Sequence, residues 1–321
     1  MSNKMVVLVT RKLPQAVEER LARDYDARFN TQDKVYSSDE LVELATGADA
    51  IIPCHTEKLS AEVIARLPDS VRAICSFSVG YDHIDLAAAK ARGIIVTNTP
   101  EVLSDATAEI AVLLMLGAAR RAYEGEHQIR TDTWADWSAT YQLGIQVTGK
   151  RLGILGMGRV GQIMARRARG FDMQIHYYNR SRLAPELEHG ATYHERVEAL
   201  LPHCDFLSIH CPATPETHHL LNAQRIALLP DEAIVVNTAR GAVVDDEALI
   251  AALRSGKLFA AGLDVFNNEP NIDPRYKELE NAFLLPHVGS ATRETRDAMG
   301  FRALDNLDSI ASGGEPHDRL A

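Results

Sequence analysis

Short apolar runs alternate with amphipathic stretches from the first residues onward. The apolar segments at 6–9, 50–53, 73–75 and 94–97 have the length of strands. The stretches between them, near 15–23, 38–46, 60–67 and 86–92, repeat apolar residues at helical spacing. Short apolar strands with helical crossovers pair in parallel, which predicts a first α/β domain. Residues 105–121 read as one long helix, apolar on nearly every side. Such a helix is buried between larger bodies, so a domain boundary falls at its start. Residues 124–147 form a polar excursion with both tryptophans, Trp134 and Trp137. Aromatic anchors on an extended arm predict a subunit interface, the alternative being a self-packed surface loop.

A second alternation starts with a strand at 152–155, which runs into Gly156, Gly158 and Gly161 before a helix and a further strand at 173–178. In that setting Gly156 permits the sharp turn, Gly158 removes a side chain that would fend off a pyrophosphate, and Gly161 lets the helix lie close on the sheet. The helix N-terminus supplies free N–H groups and the positive dipole end. At the tip of the second strand, where an NAD-binding fold usually has a carboxylate, this chain has Asn179, Arg180, Ser181 and Arg182. Guanidinium groups grip a 2′-phosphate and Ser181 can donate to it, so the site reads as one for NADP(H), with NAD(H) as a second substrate. Two solvated arginines are the plainer account. Strands at 206–210, 233–236, 259–263 and 283–285, with helices near 195–200, 222–228 and 246–255, complete a doubly wound sheet. A closing helix at 293–311 is long enough to return to the first domain, and the Gly- and Pro-bearing end beyond it is expected to fray.

The 321 residues, 46% hydrophobic and 24% charged, suit two domains or so. A net charge of -10 argues against nucleic acid or an acidic membrane as partner, though local Arg and His can still hold an anionic substrate. Cys54, Cys75, Cys204 and Cys211 show no metal spacing and read as reduced and structural, as in a cytoplasmic protein. No signal-peptide pattern and no bilayer-length apolar run is seen.

Ligands of an open parallel sheet lie outside the carboxyl ends of its strands, so the residues after each strand carry the chemistry. Arg240 follows the strand at 233–236; Asp264 and Glu269 follow that at 259–263; His287 and Gly289 follow that at 283–285. In the first domain His55 ends one strand and S-F-S-V-G-Y-D, residues 76–82, ends another. The backbone N–H groups around Val79 and Gly80 then form an anion-accepting turn opposite Arg240, provided the two domains face each other. This set suits hydride transfer to a 2-oxo acid. Arg240 grips the carboxylate bidentately, and His287 protonates the oxygen as the carbonyl carbon takes the hydride. Glu269 on the other imidazole nitrogen fixes the ring and favours its charged form, and Asp264 orients the nicotinamide amide. Taken singly, each has a plainer account: a loop hydrogen bond for the His, a surface ion pair for the Arg, a helix cap for the acids.

At these residues the sequence resembles the D-isomer-specific 2-hydroxyacid dehydrogenases. The resemblance covers nearly the whole chain and rests on V-G-Y-D at 79–82, N-T-P-E-V-L-S-D-A-T-A-E at 98–109 and G-M-G-R-V-G at 156–161. It continues through N-T-A-R-G-A-V-V-D at 237–245, G-L-D-V-F-N-N-E-P at 262–270 and P-H-V-G-S-A-T at 286–292. It implies that Arg240, Glu269 and His287 are catalytic and that Val79 and Gly80 hold the substrate carboxylate. It places Thr107, Arg159, Val160, Cys211, Pro212, Thr217, Thr238, Ala239, Arg240, Asp264, His287 and Gly289 around the cofactor. It further implies two Rossmann-like doubly wound domains with a cleft between them. The substrate-binding domain takes 1–103 and 291–321; the dinucleotide-binding domain takes 104–290, with a dimerisation arm at 122–147. The N-R-S at 179–181 and the 262–270 segment look most like glyoxylate/hydroxypyruvate reductases, and His55 stands at the crevice edge where members differ, a place to set substrate size, with a strand-end hydrogen bond as the plainer account. The reading that follows is a homodimeric, NADPH-preferring reductase of glyoxylate and hydroxypyruvate. A dehydrogenase of bulkier acids such as phenylpyruvate, or a nucleotide-sensing corepressor, are the alternatives.

Overall fold

Small and β-branched residues in unbroken apolar runs make strands that can be covered on both faces, and helices supply the cover. The computed structural model describes residues 4–321. Two units divide the chain, Met1–Leu103 with Ser290–Ala321, and Ser104–Gly289. The first contains β1 (Val6–Val9), α1 (Gln15–Asp24), β2 (Asp26–Phe29), α2 (Ser38–Leu44), β3 (Ala50–Ile52), α3 (Ala61–Arg66), β4 (Ala73–Cys75), α4 (Leu86–Ala91) and β5 (Ile95–Thr97). Its parallel sheet has the order β2-β1-β3-β4-β5. Ser37 caps α2 in a reciprocal box with Glu40.

The second unit opens with α5 (Ser104–Ala119) and α6 (Ala122–Arg130). It continues as β6 (Arg151–Leu155), α7 (Arg159–Ala168), β7 (Gln174–Tyr178), α8 (Pro185–Glu188), β8 (Thr192–His194), α9 (Val197–Leu200) and β9 (Phe206–Ile209). Then come α10 (Ala223–Leu228), β10 (Ala233–Asn237), α11 (Asp246–Ser255), β11 (Leu258–Leu263) and β12 (Ala282–Leu284). All seven strands are parallel, in the order β12-β11-β10-β9-β6-β7-β8. The central strands β9 and β10 are buried at every position. A last helix, α12 (Arg293–Ala311), groups with the first unit and starts at a Thr292 cap. Among the described residues no helix is long and apolar enough to cross a membrane.

Several elements differ from the pattern-based expectation. The edge strands β2 and β8 are absent from it, because a strand paired on one side tolerates polar residues and shows no apolar run; β2 reads D-A-R-F. The supposed polar excursion begins as a true helix, α6, which buries none of its residues and whose polar composition reads as a loop. α5 stops at Ala119, where Arg121 turns left-handed with φ 53°, and it is not enclosed on all sides, since Leu113 is 46% exposed. The arm that follows leaves Trp134 at 56% and Trp137 at 75% exposure, so these rings are not packed into the unit's own core.

The expected fraying of the carboxyl end is also wrong. Leu320 donates to the Val96 carbonyl at 2.7 Å and Val96 donates to Ala321 at 3.1 Å, which pairs the tail with the open edge of β5. The buried Asp318 carboxylate takes Arg302 at 2.6 and 2.8 Å and Asn306 at 2.8 Å. Glycine and proline composition alone does not show these partners, which lie on α12 and β5.

Candidate active site

The turn after β6 is built for close approach. Gly156 has φ 95°, and a Cβ there would come within 2.6 Å of the Cys211 nitrogen; one on Gly161 would come within 2.3 Å of the Gly156 carbonyl oxygen. Gly158 is different: a Cβ there would meet no atom within 4 Å. Protein packing therefore explains two of the glycines and leaves the middle one beside open space at the start of α7, with Arg159 exposed and Val160 half-buried in its first turn. Asn179 accepts from the Met157 N–H at 2.8 Å and so ties the tip of β7 to this turn. Thr217 donates to the Pro212 carbonyl at 2.6 Å and closes the loop that follows Cys211.

The two arginines at the β7 tip separate in role. Arg182 donates through Nε and Nη2 to Glu188 at 2.8 and 3.0 Å, and Tyr177 donates to the same carboxylate at 2.6 Å. The Arg182 guanidinium, with the Tyr177 hydroxyl, brings the Glu188 carboxyl down to about 2. Arg180 and Ser181 are exposed, and among the described residues Arg180 forms no ion pair, Glu216 being a charge within its electrostatic reach.

Three loops at the carboxyl ends of β10, β11 and β12 carry the remaining polar groups. Asn237, 1% exposed, accepts from Ala239 N–H at 3.0 Å and donates to the Arg240 carbonyl at 3.0 Å, holding the turn from which the Arg240 side chain emerges. Gly241 lets this turn abut the next loop, since a Cβ there would lie 2.0 Å from the Phe266 carbonyl carbon. Glu269 accepts from the Phe266 N–H at 2.7 Å with Oε1 and faces His287 Nδ1 at 2.6 Å with Oε2. The carboxylate thus fixes the imidazole from the Nδ1 side. Asp264, almost fully buried, accepts from Val288 and Gly289 N–H, both at 2.7 Å. Burial pushes its carboxyl up against the pull of those two amides. Its structural work is to hold the loop that carries His287, a role that sequence position did not show. Thr107 on α5 faces the same place, its hydroxyl 3.5 Å from where a Gly289 Cβ would stand.

His210 was missed. It lies between Ser208 Oγ at 2.8 Å and Thr238 Oγ1 at 3.3 Å, and burial lowers its pKa to about 4, so it is a neutral support for Thr238. Its position after the apolar run of β9 was the available signal.

In the first unit His55 is exposed beyond β3, and Val79 and Gly80 lie in the loop after β4. Among the described residues the N–H groups of Val79, Gly80 and Tyr81 donate to no protein acceptor. A run of unsatisfied amides in one turn is an anion-accepting feature.

The NAD-binding domain of the D-isomer specific 2-hydroxyacid dehydrogenases matches residues 112–289. A glycerate dehydrogenase from Hyphomicrobium methylovorum is 44% identical over 99% of this chain and 100% of its own. A glyoxylate reductase from Thermococcus litoralis is 41% identical over 98% and 96%. Among solved structures, an NADPH-dependent glyoxylate/hydroxypyruvate reductase from Sinorhizobium meliloti, in complex with NADP and malonate, superposes with a TM-score of 0.89 at 32% identity, covering 99% of this chain and 97% of that one. The paired His287 and Glu269 of this chain, the turn through Gly156 and Gly161 and these similarities agree: the chain is an NAD(P)-dependent enzyme and belongs to the D-isomer specific 2-hydroxyacid dehydrogenase family.

Proposed function

We propose that the protein reduces small 2-oxo acids, glyoxylate to glycolate and hydroxypyruvate to D-glycerate, with NADPH preferred over NADH. The observation that carries the reading is the 2.6 Å contact of His287 Nδ1 with Glu269 on loops held by Asp264. The open space at Gly158, the start of α7 and the exposed Arg180 and Ser181 fit a phosphorylated dinucleotide. When bound, the nicotinamide supplies the hydride. Arg240 and the amides of Val79 and Gly80 take the substrate carboxylate, and protonated His287 gives its Nε2 proton to the carbonyl oxygen as negative charge gathers there. Glu269 keeps the ring oriented and compensates the imidazolium charge. Thr238, Ala239, Cys211 and Thr107 would hold the cofactor, with Asp264 orienting the nicotinamide amide. In the oxidative direction the same imidazole begins neutral and accepts the proton.

The names of the relatives support the same substrates, a glycerate dehydrogenase because glycerate is the reduced form of hydroxypyruvate, and the glyoxylate and glyoxylate/hydroxypyruvate reductases directly. We also propose a homodimer through the second unit, supported by the exposed Leu113, Ile129, Trp134, Trp137 and Leu143. The test is the rate of NADPH and NADH oxidation with glyoxylate, hydroxypyruvate, pyruvate and phenylpyruvate. The expected result is the highest kcat/KM for the first two with NADPH; a higher value for phenylpyruvate than for both would overturn the substrate assignment.

A further inference from the structure

The turn that presents Val79 and Gly80 is shaped from behind. Asn98 Nδ2 donates to the Val79 carbonyl at 2.8 Å, and Ser78 Oγ donates to the Gly80 carbonyl at 2.7 Å. A trans peptide unit points its C=O and N–H in opposite directions. Anchoring the Val79 carbonyl inward therefore turns the Gly80 N–H outward, and anchoring the Gly80 carbonyl does the same for the Tyr81 N–H. Both anchors are buried, each 7% exposed, so their bonds are not shared with solvent. Ser78 Oγ is in turn 2.7 Å from Ser76 Oγ, which lies 3.2 Å from His83 Nε2.

Asn98 is itself held by the far end of the chain. Its N–H donates to the Asp318 carbonyl at 3.4 Å, and its carbonyl accepts from Asn306 Nδ2 at 3.4 Å. Asn306 and Asp318 are joined to each other by a backbone-to-side-chain bond at 3.0 Å and a side-chain bond at 2.8 Å. A connected set of hydrogen bonds thus runs from α12 and the tail, through Asn98, to the carbonyl whose peptide partner is the Gly80 amide.

We propose that Asn98 and Ser78 are positioning residues for the carboxylate of the 2-oxo acid: Asn98 aims the Gly80 amide at it, Ser78 adds the Tyr81 amide as a further donor beside those of Val79 and Gly80, and the paired Asn306 and Asp318 hold Asn98 in place. The inference rests on the reading of Val79 and Gly80 as the carboxylate site. A purely structural Asn98 would contribute to stability alone, whereas a positioning Asn98 contributes to the affinity for one ligand.

The test compares the parent with Asn98→Ala, Asn98→Asp and Ser78→Ala, measuring KM for glyoxylate and hydroxypyruvate, KM for the dinucleotide, the inhibition constant of oxalate and the melting temperature. Loss of one such bond should raise the KM for the acids and the oxalate constant about five- to tenfold, with the dinucleotide KM changed less than about twofold on the same reasoning. Asn98→Asp should be worse than Asn98→Ala, because a carboxylate placed against the Val79 carbonyl repels it. Unchanged acid KM and oxalate constants in folded variants would overturn the proposal. So would an equal weakening of acid and dinucleotide, which marks general damage. If the Asn98 variants do not fold, Ser78→Ala, which deletes one hydroxyl, decides alone. A parent that reduces neither acid and is not inhibited by oxalate would refute the underlying site reading, an outcome visible before any variant is made.

Discussion

The two arginines at the tip of β7 should respond differently to removal, and the difference tests how the 2′-phosphate is recognised. Arg182 spends two of its donors on Glu188, whereas Arg180 is exposed and makes no ion pair among the described residues. Arg180 can therefore offer its full donor set to a phosphate. A charge-assisted contact of this kind is worth about 1.5 to 3 kcal/mol, and about 1.4 kcal/mol is tenfold in affinity. Arg180→Ala should then weaken NADPH by about ten- to a hundredfold on that scale, leave NADH nearly unchanged and leave the melting temperature as it was. Arg182→Ala should do the reverse. It strips the ion partner from the Glu188 carboxylate, so the melting temperature falls, while the ratio of kcat/KM for NADPH over NADH moves much less. Steady-state rates with both dinucleotides at saturating acid, together with thermal melts, separate the two. Equal losses of the ratio in both variants, or a parent ratio below one, would refute the reasoning and leave the hydride chemistry intact.

Four further outcomes are expected. Glu269→Gln should lower kcat while leaving the dinucleotide KM nearly unchanged, because the amide no longer orients the imidazole or compensates its charge; an unchanged kcat would remove Glu269 from that role. His176 and His210 are held to a pKa of about 4, chiefly by burial and for His176 also by His194 and His203. Both are neutral in the fold and take up a proton on unfolding below about pH 6.5, so stability should fall as pH drops from about 6.5 toward 4, and His176→Asn should flatten that fall in urea titrations. Gly158→Ala should melt like the parent yet raise the dinucleotide KM, whereas Gly161→Ala, whose Cβ would strike the Gly156 carbonyl, should lose about 1 to 3 kcal/mol of stability. Deleting residues 318–321 should cost about 2 kcal/mol through the two lost backbone bonds to Val96 alone, seen as a lower urea midpoint.

Interior strands and the helices that cover them were legible because both faces of a parallel strand must be apolar, and A-I-V-V at β10 admits no other reading. The placement of Arg240, Glu269 and His287 in the loops after β10, β11 and β12 was legible for a related reason: strand ends in such a sheet point to one edge. What escaped has no local signature. β2 and α6 bury little, so their composition resembles a loop. The roles of Asp264, Glu188 and Asn98 depend on partners 24–25, 6–11 and 19 residues away that only the folded chain identifies. The tail misled because its glycines and proline do not reveal that Asp318 finds Arg302.

The division of the first unit between residues 4–103 and 290–321 has a consequence for biosynthesis. A ribosome finishes the whole dinucleotide-type sheet before it makes α12 or the strand-like tail. The second unit can fold while synthesis continues, but the nascent first sheet must wait with the backbone of Val96 unpaired. An open strand edge recruits other chains. The interval between residue 97 and residue 321 is therefore the period in which this edge stays open, and slowed translation across residues 290–321 should lower soluble yield more than the same delay inside the second unit.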